Sequence, residues 1–262
     1  EQAMRRMAER GATVVLGVGF AQADAISKVA AEFPDTKFSI IDVSWLDAPN
    51  LRQYAFKEHE GSYIVGIAAA KASKTGKVGF VGGMDIGLIR RFACGYVGGV
   101  KSINASAEVY QNMTGTTPAA WNDPAKGAEL TQSQIDRGAD VVYHAAGGTG
   151  AGVIQAAADA GKLAIGVDSN QNGMAPGSVL TSMLKRVDVA AYETFMDVKN
   201  GNFSAGVHVL GLAEGGVDWA LDENNASLVT ADMKAAIESA RADIVSGKVK
   251  VHDYFSDESC PY

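Results

Sequence analysis

The 262-residue chain contains two cysteines, Cys94 and Cys260, and no Cys-x-x-Cys pair, while its four histidines, His59, His144, His208 and His252, are scattered. That pattern offers no cluster with metal-ligand spacing. No block of Lys or Arg stands out and the net charge is −7, which argues against nucleic acid as a partner. No apolar run is long enough to cross a bilayer; the longest candidate, around Tyr63 to Ala70, reads as a buried helix segment. A Ser nucleophile elbow, a Cys beside a His, and an acid–base couple are all missing, so the chain shows no catalytic set and calls for no cofactor.

What the chain has instead is a repeat. Residues 9–44 and 136–169 each run through a charged residue, Arg, Gly, Ala, a Val-rich strand, a Gly-containing loop, an Ala-rich helix and a second strand ending in Asp. Strand–loop–helix–strand is a βαβ crossover and builds a parallel sheet. Two copies in 262 residues predict two α/β lobes. Ligands of open parallel sheets bind outside the carboxyl ends of the strands, where Asp42 and Asp168 fall. Facing lobes would line a cleft from both sides.

Strands are expected at 13–17, 37–43, 77–81, 107–111, 140–145, 163–167, 179–183 and 207–210, short and continuously apolar as in sheets covered on both faces. Helices are expected at 21–32, 58–72, 86–103, 124–137, 152–160, 187–199 and 231–246. Gly11, Gly76, Gly138 and Gly161 each stand where a helix gives way to a strand, as left-handed terminators do. Asp123-Pro124 has the form of a helix start. The alternation defines a doubly wound α/β class, each lobe a parallel sheet flanked by helices. The first lobe is placed at 1–104 with a crossover helix at about 184–200. The second takes 105–183 and about 201–220, and 221–262 forms a C-terminal helix and tail.

Six residues are candidates for ligand contact. Gly147 lies in the strand-to-helix loop Ala146-Gly147-Gly148-Thr149-Gly150-Ala151-Gly152, which can present backbone N–H groups to a ligand. It matches neither a Walker motif nor GxGxxG, and a plain tight turn is the competing reading. Asp42 and Asp168 are carboxylates that must be paired or solvated, either binding hydroxyls or base N–H groups or capping the next segment; for Asp85 capping is preferred. Trp121, in a polar loop, suits stacking on a flat ligand or anchoring its own loop. Phe20 faces a cleft or seals a core. Lys185 reaches a carboxylate or a ligand hydroxyl, with Arg186 and Asp188 beside it as a solvated pair. The cysteines leave two readings: one buried and one tail thiol, or a disulfide joining Cys94 to Cys260, which requires an oxidising compartment.

Longer motifs carry a family resemblance. Phe33-Pro34-Asp35, Phe38 to Asp42, Phe56-Lys57-Glu58-His59-Glu60-Gly61-Ser62, the stretch Ser73 to Gly83, the loop at 145–150, Ile165 to Asp168 and Thr181 to Asp188 resemble, in order, the basic membrane protein family of ABC-transporter substrate-binding proteins, purine nucleoside receptor type. The likeness runs to about Gly216. It implies a two-lobed periplasmic-binding-protein fold of the first type that binds adenosine, guanosine, inosine or adenine for delivery to an inner-membrane ABC permease. It places the protein in the periplasm or on the outer face of the cell membrane, lipid-anchored through an N-terminal segment not contained here. By motif, Trp121 stacks on the purine, Asp42 and Gly147 make polar contacts, and Asp168 and Lys185 approach the ribose. A sugar-binding protein or signalling receptor of the same fold is the alternative.

The family opens with a strand and an Asp-Lys-Ser-Phe-Asn-like segment that supplies a second aromatic, whereas this chain opens at Glu1-Gln2-Ala3-Met4, inside the next helix. The expectation is a first lobe lacking that N-terminal strand and helix start, with an unpaired edge and weakened binding or stability. Gly87 stands where the family has Pro, at a helix start, with little expected consequence.

Overall fold

The computed structural model describes residues 1–262. In chain order the elements are α1 Gln2–Glu9, β1 Val14–Val18, α2 Ala23–Glu32, β2 Lys37–Ile41, β3 Leu51–Phe56, α3 Glu58–Ala72, β4 Lys77–Met84, α4 Gly87–Ile103, β5 Glu108–Gly115, α5 Pro124–Asp136, β6 Val141–Ala145, α6 Gly150–Asp159, β7 Leu163–Asp168, β8 Val179–Lys185, α7 Val187–Asn200, β9 Gly206–Leu210, β10 Val217–Trp219 and α8 Ala231–Val245. No helix is long and apolar enough to cross a membrane. The chain divides into a smaller unit, Glu1–Lys57 with Arg186–Gly216, and a larger one, Glu58–Lys185 with Val217–Tyr262.

The smaller unit is a four-stranded parallel sheet in the order β1-β2-β3-β9, with β1 and β9 at its edges. Side chains alternate across a strand, and β2 shows the consequence. Phe38 and Ile40 join Met4, Ala8, Ile26 and Val29 of α1 and α2 in one core. Ser39, between them, turns to the other face, where its hydroxyl accepts a hydrogen bond from Thr194 of α7 at 3.3 Å.

The larger unit holds six strands in the order β10-β8-β7-β6-β4-β5, all parallel except β10. The same alternation divides its core. Val81 and Val142 pack with Val153, Leu130 and Ile135 of α5 and α6. Phe80 and Tyr143 meet Tyr96 of α4 on the opposite face, with ring centroids 5.1–6.4 Å apart. The helices α3 and α4 approach so closely that a Cβ on Gly66 or Gly99 would strike the facing backbone. Asp123 caps α5 by accepting from Lys126 N at 2.9 Å, and Gly11, Gly76, Gly138 and Gly161 all have positive φ.

The expected lobe boundary at residue 104 lies instead at Lys57. The strand β4 pairs with β5 and β6, not with β1–β3, and a lone strand does not announce which sheet it joins. For the same reason the 207–210 strand belongs to the smaller unit, pairing with β3, rather than to the second lobe. The crossover helix near 187 does join the smaller unit. Two strands escaped the sequence pattern. One is β3, whose Arg52 and Gln53 look polar but are 1% and 2% exposed. Arg52 is buried because its guanidinium donates to Asp197 Oδ2 at 2.7 Å and to Ser204 O at 2.9 Å. The other, β10, has three residues.

Candidate functional site

Parallel strands end together. In the larger unit, Lys185 closes β8, Asp168 closes β7, the loop after β6 holds Gly147, and Gly83 lies near the end of β4. Four neighbouring strands span roughly 14 Å at the usual spacing. The 3₁₀ turn Pro118–Trp121, which comes after β5, brings Trp121 to the same edge. A Cβ on Gly83 would run into the six-membered ring of Trp121, and one on Gly147 would stand 3.6 Å from Trp121 Cε3. Trp121 is half-buried. Its turn is pinned by Thr114 and Thr149, whose hydroxyls donate to Ala120 O at 2.9 and 2.8 Å, and Asp123 N donates to Thr149 Oγ1 at 2.7 Å. The indole is therefore both anchored and presented. Gly147 itself has φ 57° and is exposed.

Asp168 has φ 65°, a left-handed conformation rare for a residue with a side chain. It caps no helix; the next short turn starts from Gln171. A closed polar network holds this corner. Gln171 Oε1 accepts from Val167 N at 2.8 Å and lies 2.9 Å from His144 Nε2. An amide oxygen only accepts, so His144 carries its proton on Nε2. Gln171 N donates to Ser182 Oγ at 2.9 Å, and Ser182 Oγ donates to Asn172 Oδ1 at 2.8 Å. Asn170 and Asn172 both donate to Asp222 Oδ2, at 2.6 and 3.0 Å. Burial pushes the His144 imidazole down to about 4, against the bond to Gln171 that favours its charge. The residues after Asp168 therefore serve to fix it.

Lys185 finds the carboxylate the sequence allowed for: its Nζ lies 3.1 Å from Glu58 Oε1, and both side chains are buried. Arg186 and Asp188 form the exposed pair beside it, at 2.8 Å. Glu58 was not singled out, although it stands inside the Phe56–Ser62 motif. Asp85 pairs with Arg90 at 2.7 Å through both oxygens, and the N-cap of α4 is Ile86, so the capping expected of Asp85 gives way to an ion pair.

In the smaller unit, Asp42 comes directly after β2 with φ 66° and donates its N–H to Tyr54 O at 2.9 Å. No helix intervenes between it and α3, so it too is no cap. Its corner is held by Gln53, which accepts from Leu46 N and donates to Leu46 O, each at 2.8 Å. Phe20 lies in a 3₁₀ turn after β1 and packs against the core of this unit, which is its sealing role.

The cysteines are joined. A Cys94–Cys260 disulfide, with Cα atoms 5.6 Å apart, ties the tail to α4. Asp253 of the same tail salt-bridges Arg91 of α4 at 2.6 Å. Disulfides persist in oxidising compartments.

Each sheet has an aspartate with positive φ at or directly after a strand end, and the α/β architecture of parallel sheets flanked by helices is that of the type I periplasmic-binding fold. Similarity narrows the class. The chain matches the Bmp family, described as "ABC transporter substrate-binding protein PnrA-like", over residues 1–254, and it belongs to that family. It is 35% identical over 261 residues to the ABC transporter nucleoside-binding protein BmpA of Lactococcus lactis, covering 93% of this chain and 72% of that protein. It is 32% identical to basic membrane protein D of Borreliella burgdorferi, covering 91% of this chain and 70% of that one. Among solved structures, an ABC transporter solute-binding protein from Aeropyrum pernix superposes with TM-score 0.84 at 28% identity, covering 95% of this chain and 80% of that chain. The protein is thus a substrate-binding protein of an ABC transporter, a class that works outside the cytoplasm with a permease as partner.

Proposed function

We propose that the protein captures a purine nucleoside or its free base and passes it to the permease without reacting it. The observation that carries this reading is Trp121, an indole held on Gly83 at the strand-end edge that also bears Gly147, Asp168 and Lys185. An indole suits a flat heterocycle, and a carboxylate suits vicinal hydroxyls or base N–H groups. The likeness to a nucleoside-binding relative points to the same ligand. In this reading Trp121 stacks on the purine, Asp168 and Lys185 take the ribose, and Gly147 offers its backbone. The place of action in this reading is the periplasm or the outer face of the cell membrane.

Calorimetry and thermal shift with adenosine, guanosine, inosine, adenine, ribose and glucose test it. Stabilisation by purines alone is expected, since a ligand that binds only the folded state raises its stability. Stabilisation by ribose or glucose alone would replace the purine with a sugar. Trp121→Ala should weaken purine binding by about 1–3 kcal/mol, the range for base–aromatic stacking. An unchanged affinity would remove Trp121 from the site.

A further inference from the structure

The C-terminal tail meets α4 at Gly87, Arg91, Cys94 and Gly98, positions that share one stripe of a helix. Phe255 packs on Gly87, where a Cβ would come within 2.8 Å of its Cε1. Asp253 accepts from Arg91 Nε and Nη2 at 2.8 and 2.6 Å, and the Arg91 guanidinium lies 5.0 Å from the centre of the Phe255 ring. Cys260 is bonded to Cys94. The Tyr262 ring takes the room beside Gly98, where a Cβ would come within 2.6 Å of its Cε2. The tail also holds its own shape: His252 N donates to Tyr262 Oη at 3.0 Å, and Ser259 N and Oγ donate to Asp257 Oδ1 at 3.0 and 2.8 Å.

The family match covers residues 1–254, so Phe255, Cys260 and Tyr262 lie beyond it. Gly87, which stands where the family has Pro, leaves the room that Phe255 takes. The strap is thus additional to what the family match accounts for. Its two sulfurs also differ in reach. Cys94 is 2% exposed, whereas Cys260 lies in a run, Phe255 to Tyr262, whose residues are all exposed. Thiol–disulfide exchange requires a thiolate to reach one sulfur, and access decides which one. The tail side offers that access.

We propose that Cys260 is a thiol-exchange site, at which a small thiol opens the strap. The thiolate attacks Cys260 Sγ, and a bond forms between these two sulfurs. The Cys94–Cys260 bond breaks, and its electron pair leaves on Cys94 Sγ, which takes a proton from water. A second molecule of the thiol attacks the mixed disulfide and frees Cys260; two small thiols are then oxidised to their disulfide as the protein disulfide is reduced. The tail from Phe255 to Tyr262 lifts from α4 while the larger sheet stays folded, since no strand or α-helix lies beyond α8. Once the thiol is removed, Phe255 and Tyr262, on either side of Cys260, seat again on the stripe and return it to Cys94. Closure is then an intramolecular step at high effective concentration.

The test treats the whole native protein with reduced glutathione, quenches with acid and maps the adducts by mass spectrometry. Glutathione should be found on Cys260, with Cys94 as the free thiol. Hydrogen exchange should quicken at once in 253–262 while β6–β8 remain protected. Phe255→Ala and Tyr262→Ala should each raise the opened fraction about threefold at a fixed glutathione concentration, because each removes an aromatic contact made only in the closed form. Tyr262→Phe keeps the ring and should raise it less. Glutathione on Cys94, glutathione on both cysteines alike, exchange confined to urea-unfolded protein, or an opened fraction unchanged in both alanine variants overturns the proposal.

Discussion

The two units use one device in two settings. Each ends a central crossover in an aspartate with left-handed backbone, φ 66° at Asp42 and 65° at Asp168, and each locks the corner with a glutamine, Gln53 or Gln171. The surroundings differ. In the smaller unit Gln53 holds a half-buried loop through two bonds to Leu46. In the larger unit Gln171 sits in a network that runs through His144, Ser182, Asn172 and Asp222. The larger unit also carries Trp121, the Lys185–Glu58 pair with both side chains buried, and the disulfide. A backbone geometry is thus repeated, while rigidity and chemistry are concentrated in one copy.

Breaking that concentration gives the largest expected effect. The disulfide closes a sequence separation of 166 residues. Its loss through Cys94→Ser with Cys260→Ser should cost the larger unit about 5 kcal/mol if denatured-chain entropy dominates. Hydrogen exchange read separately in β4–β8 and β1–β3 checks the location of the loss. Equal loss of protection in both sheets would refute the view that the strap serves one unit.

A second contrast comes from pH. His144 is buried and its imidazole is pushed down to about 4 from 6.5. Its folded value is depressed, so the folded state refuses a proton that the unfolded chain accepts. The stability it supports is complete above 6.5 and is lost as pH falls from 6.5 towards 4, on the order of 3 kcal/mol in total. In the smaller unit, burial also lowers His208, which is only partly covered and should weigh less. Urea melts between about pH 7 and about pH 4.5 should lose their slope in His144→Asn and keep most of it in His208→Asn. The reverse result would shift the acid-sensitive element to the smaller unit.

Much of this was legible in the sequence because the repeat exposed it. The βαβ units, the helix-ending glycines and the two strand-end aspartates come from local pattern, and both aspartates stand at the edges expected of them. The lobe boundary was not legible, since β4 is an apolar segment that pairs with the strands after it rather than those before it, and the partner of β9 lies far away in sequence. The strand β3 was hidden because Arg52 and Gln53 become buried only once Asp197 and Leu46 arrive to bond them. Gln171 and Glu58 were missed for the same reason: a polar residue reads as surface until its partner is known. Gly83 offered a signal in the Gly82-Gly83 pair, but the ring that needs it, Trp121, is contributed by a distant loop.

The glutamines allow a sharper comparison at smaller energies. Gln171→Leu leaves Val167 N and His144 Nε2 without their acceptor, both on buried residues of the sheet. Each orphaned buried donor costs about 1–3 kcal/mol. Gln53→Leu orphans Leu46 N and O, but Leu46 is half-buried and water can replace the amide. Chemical denaturation should therefore show the loss at Gln171 to be about twice that at Gln53. Equal losses would mean that the loop after Asp42 is as closed to solvent as the corner after Asp168.

The smallest effect tests whether the repeat is physical or only a likeness of letters. A left-handed residue with a Cβ costs about 1–2 kcal/mol, and Gly is free of that cost. The stability difference between the Ala and Gly variants isolates the backbone, because neither keeps a carboxylate. With φ 66° at Asp42 and 65° at Asp168, the difference should be about 1 kcal/mol in favour of Gly at both positions. Thermal melts of the four variants measure it. Binding should separate what stability does not: Asp168→Gly and Asp168→Ala lose the same carboxylate and should lose ligand alike. If Gly instead retains affinity, the left-handed corner serves to place backbone groups, and the carboxylate at this edge is not the ligand contact.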